Sequence, residues 1–158
     1  SSDVCSSDLK DILALNFAKE NGIDEIFISF CKSDEAVIKT KNIANDARVT
    51  SKIESKLSIH NLENICQVSD ALLIDRGDLS RYVPIEKIPL AQENIINCSK
   101  QLNTPTYVAT NLLENMIKET QPTRAESHDV YSTLKEGALI IGQTRECLRI
   151  SMCVASST

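Results

Sequence analysis

No stretch of this sequence approaches the roughly 18–20 consecutive apolar residues that a transmembrane helix needs, so no membrane partner is expected. There is no surplus of base either. The net charge is −5 and the pI about 5.1, which argues against a nucleic-acid partner, because phosphate recognition needs a basic footprint. The six cysteines, at 5, 31, 66, 98, 147 and 153, include no C-x-x-C pair. A disulfide framework belongs to short, loop-rich secreted chains, so these read as reduced, mostly buried thiols of a cytoplasmic protein. No Gly-x-Gly-x-x-Gly follows a strand-like run, and there is no Walker-type phosphate loop. The first nine residues, SSDVCSSDL, lack the charged and apolar regions of a signal peptide.

What is present is ordinary globular composition: 158 residues, 42% hydrophobic and 25% charged, enough for one domain or a large piece of one. Residues 1–9 repeat Ser-Ser-Asp and read as a translated adapter fused to a truncated gene, a genuine disordered tail being the alternative. The folded domain is therefore expected over residues 10–158.

From Lys10 the pattern is regular. Lys10–Asn21 reads as an amphipathic helix carrying Ile12, Leu13, Leu15, Phe17 and Ala18, with Gly22 suited to the position just past its end. EIFISF (25–30) is a short β-rich run. Ser33 is placed to cap a second helix, with Asp34 and Glu35 in its first turn and Ala36, Val37 and Ile43 on its buried face. RVTSKIE (48–54) is a second strand, LSIHNLENICQ (57–67) a short helix and ALLID (71–75) a third strand. A further helix starts near Leu90, where Pro89 breaks or begins it, with Ala91, Ile95, Cys98 and Leu102 on one side. TPTYVAT (104–110) is a fourth strand, 122–137 a loop and helix ending at Gly137, and ALIIG (138–142) a fifth strand. Strict β/α alternation with short apolar strands implies an α/β fold with a parallel sheet, either doubly wound or a section of a (β/α)8 barrel.

The informative polar residues gather at strand C-termini: Lys52 and Glu54, Asp75 and Asp78, Thr110 and Asn111, then Gly142, Gln143 and Thr144. In parallel α/β folds that edge carries the active site. Glu54 and Asp78 could share a hard divalent cation such as Mg²⁺. Lys52 lies two residues before Glu54, hence on the same face of a strand, where an ammonium would stabilise charge developing on a phosphoryl or enolate oxygen. Gly77 would let backbone N–H groups approach an anion closely. Each feature has a plainer reading. Lys-x-Glu is common on solvated strand ends, Thr and Asn are common turn residues, and His60 and His128 sit in helical segments facing solvent or a partner. Arg76-Gly77-Asp78 occurs by chance in many proteins, and its apolar lead-in does not suit an exposed adhesion loop.

SKIES (51–55), DRGDL (75–79), PIEKIPLAQ (84–92), PTYVATNLLENMIK (105–118) and QPTRAESHDV (121–130) together resemble the catalytic barrel of pyruvate kinase, in order and in spacing, from about Lys10 to Thr144. The resemblance implies an incomplete TIM-type parallel β/α barrel, about strands four to eight. It implies transfer of a phosphoryl group from phosphoenolpyruvate to ADP, giving pyruvate and ATP in glycolysis. Lys52 matches the lysine that assists that transfer. Glu54 and Asp78 match the carboxylates that hold Mg²⁺ (or Mn²⁺), Gly77 and Asp78 the segment that binds the substrate carboxylate, and Thr110 the threonine beside the reacting enolate. Pro122–Glu126 matches a stretch near a subunit contact, and the family implies a homo-oligomer, a tetramer.

The sequence departs from the family at particular places. Asp75 stands where alanine is usual, Asn111-Leu112 where glutamine-methionine is usual, and Cys31-Lys32 at an Arg-Lys pair. Ile141-Gly142-Gln143-Thr144 stands at a Ser-Gly-Glu-Thr ending. The residues that bind K⁺ in the family, its lid domain and its C-terminal domain have no counterpart here, so the chain alone is expected to be inactive. Three readings follow: a piece of a divergent pyruvate kinase, a non-catalytic paralogue used for binding or assembly, or another Mg²⁺-dependent phosphoenolpyruvate/pyruvate barrel. The Thr-Arg-Ala-Glu segment (123–126) speaks against the last.

Overall fold

The computed structural model describes residues 6–45, 47–109 and 112–141. Five short strands form one parallel sheet: β1 (Glu25–Ile28), β2 (Arg48–Ile53), β3 (Ala71–Asp75), β4 (Thr106–Ala109) and β5 (Leu139–Ile141), and their spatial order is their chain order. That order decides between the two folds left open by periodicity. A doubly wound sheet reverses its strand order at a switch point. A monotonic order with right-handed crossovers keeps every helix on one face, as in a barrel. The helices α1 (Ser6–Glu20), α2 (Asp34–Ala44), α4 (Leu62–Val68), α6 (Ile88–Gln101) and α7 (Arg124–Glu136) indeed pack each on the next. Among the described residues the sheet is open, with five strands of a β/α barrel.

Each strand directs alternate residues to the helix layer. Val49 and Ile53 of β2, Leu72 and Ile74 of β3, Val108 of β4 and Ile140 of β5 join Val37, Ile65, Ile95, Ile96 and Val130 from the helices in one buried core. The other face carries Lys52 and Asp75, and at the outer strands leaves Phe27 and Leu139 about half exposed. Burial of Gln92 inside α6 is supported by bonds from its amide to Thr133 Oγ1 (3.1 Å) and Glu136 Oε2 (2.9 Å) of α7.

Local signals set the boundaries. Pro89 occupies the second residue of α6, where a missing N–H costs nothing, so it starts the helix rather than breaking it. The buried side of α6 is Ile88, Gln92, Ile95, Ile96 and Ser99, so Ala91, Cys98 and Leu102 lie at its margin. Gly137 ends α7 with φ +96°. The helix expected over 57–67 is two, α3 (Lys56–His60) and α4, divided at Asn61. Ser33 sits at the start of α2, but its side chain makes no capping bond.

The first helix begins at Ser6, earlier than expected, and its apolar residues are not all inside. Ala18 is buried and Ile12 and Leu15 half-buried, whereas Leu9, Leu13 and Phe17 are 56–62% exposed. These three recur every four residues and so share one exposed face of the helix. Cys31 and Cys66 are buried, Cys98 is half-buried, and all three are free thiols. Burial pushes all three thiols up from the ordinary cysteine value. No helix among the described residues is long and apolar enough to cross a membrane.

Candidate active site

Register brings the polar residues together. Ile53 of β2 pairs with Ile74 of β3, so the next residue of each, Glu54 and Asp75, lie side by side at the C-terminal edge of the sheet. Lys52, two residues before Glu54, shares its face. Its ammonium lies 2.5 Å from Glu54 Oε1 and 3.4 Å from Asp75 Oδ2. Desolvation pulls the Lys52 pKa down, but the contact with Glu54 and the charges of Glu54 and Asp75 outweigh it, so lysine stands above its ordinary value and stays charged.

Glu54 is fully buried. Its Oε2 accepts the Phe30 N–H at 2.7 Å. That amide is aimed by a left-handed turn at the end of β1, where Phe30 has φ +49°, a conformation disfavoured for a side chain of its size. Oε1 faces the Lys52 ammonium, its counter-charge. The Phe30 ring packs edge-on against Tyr82, at 6.3 Å between centroids.

The Arg-Gly-Asp run is neither a loop nor exposed. Arg76–Leu79 forms one helical turn, α5, directly after β3. Arg76 is buried and makes a two-pronged ion pair with Asp129 of α7, both N···O distances 2.8 Å. An adhesion role, which requires a free arginine, is incompatible with that. Asp75 caps the turn loosely, its Oδ1 accepting the Asp78 N–H at 3.4 Å. Gly77 lies inside the turn, and the described glycines with positive φ are Gly22 and Gly137, so Gly77 does not serve a left-handed bend. Arg81, 72% exposed, reaches Asp78 Oδ1 at 3.4 Å.

One carboxylate oxygen from each of Glu54, Asp75 and Asp78 lies within 4.8 Å of the others. Two oxygens on one ion lie at most twice the bond length apart, about 4.2 Å for Mg²⁺ and about 5 Å for Ca²⁺. A spacing of up to 4.8 Å is within the Ca²⁺ limit and beyond the Mg²⁺ one, so an ion the size of Mg²⁺ would have to draw these carboxylates closer. Among the predicted site residues, the structure therefore unites Lys52, Glu54 and Asp78 and places Gly77 in the adjacent turn. Thr110, Asn111, Gly142, Gln143 and Thr144 lie outside the described residues. His60 and His128 are exposed. Two participants escaped the sequence reading. The Phe30 amide had no signal, since a phenylalanine does not advertise a left-handed turn. The Arg76–Asp129 pair, 53 residues apart, follows only from the tertiary fold.

Residues 3–147 match the pyruvate kinase barrel domain. A chloroplastic pyruvate kinase isozyme A of Ricinus communis is 42% identical over 135 residues, 82% of this chain and 23% of that protein. The pyruvate kinase of Thermotoga maritima is 41% identical over 115 residues, 70% of this chain and 25% of its own. That of Methanocaldococcus jannaschii is 34% identical over 148 residues, 91% and 32% respectively. The chain thus spans about a quarter to a third of the length of these relatives. An origin in another family of phosphoenolpyruvate/pyruvate barrels is set aside by this match.

Proposed function

Because this chain belongs to the pyruvate kinase family, we propose that it forms part of a barrel that transfers the phosphoryl group of phosphoenolpyruvate to ADP, giving ATP and, once the enolate takes a proton, pyruvate. The observation that carries this reading is the convergence of Lys52, Glu54 and Asp78 at the C-terminal edge of a barrel sheet.

Glu54 and Asp78 would hold Mg²⁺ or Mn²⁺, which supplies charge neutralisation on the transferring group. Lys52 stays protonated against two carboxylates and offers its ammonium to the phosphoryl oxygens, a fixed positive charge that needs no rearrangement during transfer. Gly77 and Asp78, at the start of α5, are assigned to the substrate carboxylate, with Arg76 fixing their position through Asp129. Thr110 is assigned the place beside the enolate. The K⁺ requirement of the family is assigned to residues outside this chain, as are the remaining barrel strands. The open five-stranded sheet alone is proposed to be inactive, since its face opposite the helices is unclosed.

A homo-oligomer, with Pro122–Glu126 near a subunit contact, and a glycolytic role belong to the same reading. The free thiols suit a reducing compartment such as the cytoplasm, while the plant relatives are chloroplastic by name. A second reading, a paralogue that keeps the barrel for binding or assembly, is favoured by Asp75, which shares the charge of Lys52.

The test is phosphorus relaxation of phosphoenolpyruvate by chain-bound Mn²⁺. The bound ion is expected to relax the phosphoryl nucleus beyond the effect of free Mn²⁺, and Lys52→Met to abolish that excess. Relaxation equal to free Mn²⁺ in the wild type overturns the substrate assignment.

A further inference from the structure

We propose that Asp75 is a third carboxylate of the cation site, so that the site takes a divalent cation before any anionic substrate supplies ligands. The inference rests on the assignment of Glu54 and Asp78 just given and adds a residue to it.

Three observations lead there. The first is register: Asp75 is the residue after Ile74, and Ile74 pairs with Ile53, so Asp75 is delivered beside Glu54 by the sheet itself rather than by a flexible loop. The second is spacing: its oxygen joins those of Glu54 and Asp78 within 4.8 Å. The third is the state of Glu54. It is fully buried, with the Phe30 N–H at one oxygen and the Lys52 ammonium at the other, and a carboxylate so placed is costly unless its charge is balanced. Lys52 supplies one positive charge at that oxygen, but it is shared with Asp75.

Charge arithmetic sharpens the point. Glu54, Asp75 and Asp78 carry three formal negative charges, and Lys52 and the largely exposed Arg81 two positive ones, so the strand edge stays net negative. With an apolar residue at 75 that formal excess would vanish. Affinity of oxygen-ligand sites for hard cations rises with the number of charged ligands. Asp75 should therefore move the order of binding toward cation first.

Asp75 has a purely structural alternative. It caps α5 through the Asp78 N–H and pairs with Lys52. That role would show in stability and not in cation affinity.

The experiment is a Mn²⁺ titration of the 158-residue chain, followed by electron paramagnetic resonance of free Mn²⁺, without phosphoenolpyruvate. Wild type is compared with Glu54→Gln, Asp78→Asn, Asp75→Ala and the near-isosteric Asp75→Asn, with circular dichroism confirming that each is folded. The expected result is saturable binding at one site, weakened at least about 10-fold, the lower end of the loss when even a group that only orients a metal ligand is removed, by Asp75→Asn as by Glu54→Gln. Unchanged or tighter binding by both Asp75 variants, with loss in Glu54→Gln and Asp78→Asn, overturns the role of Asp75 and leaves the two-carboxylate site standing. Binding that ignores all four substitutions, or no binding at all, overturns both.

Discussion

Arg76 and Asp129 are 53 residues apart in the chain and meet as a two-pronged ion pair, both contacts 2.8 Å. Arg76 follows the third strand and leads into Gly77-Asp78, while Asp129 lies on the last described helix. The pair therefore ties the turn bearing a proposed metal ligand to the outer layer of the fold.

Removing Asp129 takes from a buried guanidinium the carboxylate that receives both of its terminal nitrogens. Breaking a fully buried pair costs about 3–5 kcal/mol, but Asp129 is 35% exposed and water can reach its side of the contact. Asp129→Ala is thus expected to destabilise by about 2–3 kcal/mol, and Asp129→Asn by less, since its amide oxygen still accepts one bond. Urea denaturation checks this. A loss near zero would mean that the pair contributes only specificity of docking.

Lys52 links the site to alkaline stability. Its folded pKa lies above the lysine value, because contact with two carboxylates outweighs desolvation. A raised pKa means that the stabilisation is fully present below the unfolded value, about 10.4, and is lost as pH rises through the folded one. Unfolding between pH 9 and 12, about the span of lysine titration, should show a declining limb that Lys52→Met removes. An unchanged alkaline limb in the variant would assign it to other groups.

Asp70 does the reverse at the other end of the strands. Desolvation pushes its pKa up, but the Val49 N–H at 2.8 Å and the Lys41 ammonium at 2.9 Å hold it below the ordinary carboxylate value. A lowered pKa gives stability that is present above about pH 3.9 and is lost as pH falls through the folded value. Asp70→Ala also strands the buried Val49 N–H, a cost of about 1–3 kcal/mol. Thermal melts of this variant should lie below wild type at pH 7 and converge on it toward pH 2–3, about one unit below the usual aspartate value. Parallel melts at both pH values would contradict the linkage.

The parts of this fold that were legible in the sequence are those fixed by local pattern. ALLID reads as a strand and is one with the same bounds, because four buried apolar residues bounded by polar ones have few alternatives. Lys52 and Glu54 share a face because the strand period is two, and they touch. The misreadings are tertiary in origin. Leu13 and Phe17 have helical spacing, but spacing does not say which side a neighbour covers. Asn61 divides α3 from α4 with φ −99° and ψ 18°, a local choice hidden inside an apolar pattern. Gln92, on which the sequence pattern is silent, is buried because Thr133 and Glu136 arrive from α7 to receive its amide. Asp75 stood out in the sequence as a departure, but its position beside Glu54 required the register.

Thr123 and Glu126 supply the clearest case of a local signal with a longer reach. Thr123 Oγ1 accepts the Glu126 N–H at 3.2 Å and the Glu126 carboxylate accepts the Thr123 N–H at 2.8 Å, a reciprocal capping box that opens α7. The other Glu126 oxygen accepts the N–H of Asn115 at 2.7 Å, so the same carboxylate also pins the turn at Glu114–Ile117 that follows β4. These bonds, the one from Asn115 first, hold the Glu126 pKa below the ordinary glutamate value. Its contribution is present above about pH 4.3 and is lost as pH falls through the folded value. Thr123→Ala removes the cap alone and should cost about 1 kcal/mol. Glu126→Gln should flatten the acid limb of the stability curve and speed amide exchange at Asn115, which Thr123→Ala should do less. If Thr123→Ala and Glu126→Gln speed exchange at Asn115 equally, the carboxylate bridge between α7 and the turn after β4 is not an independent tether.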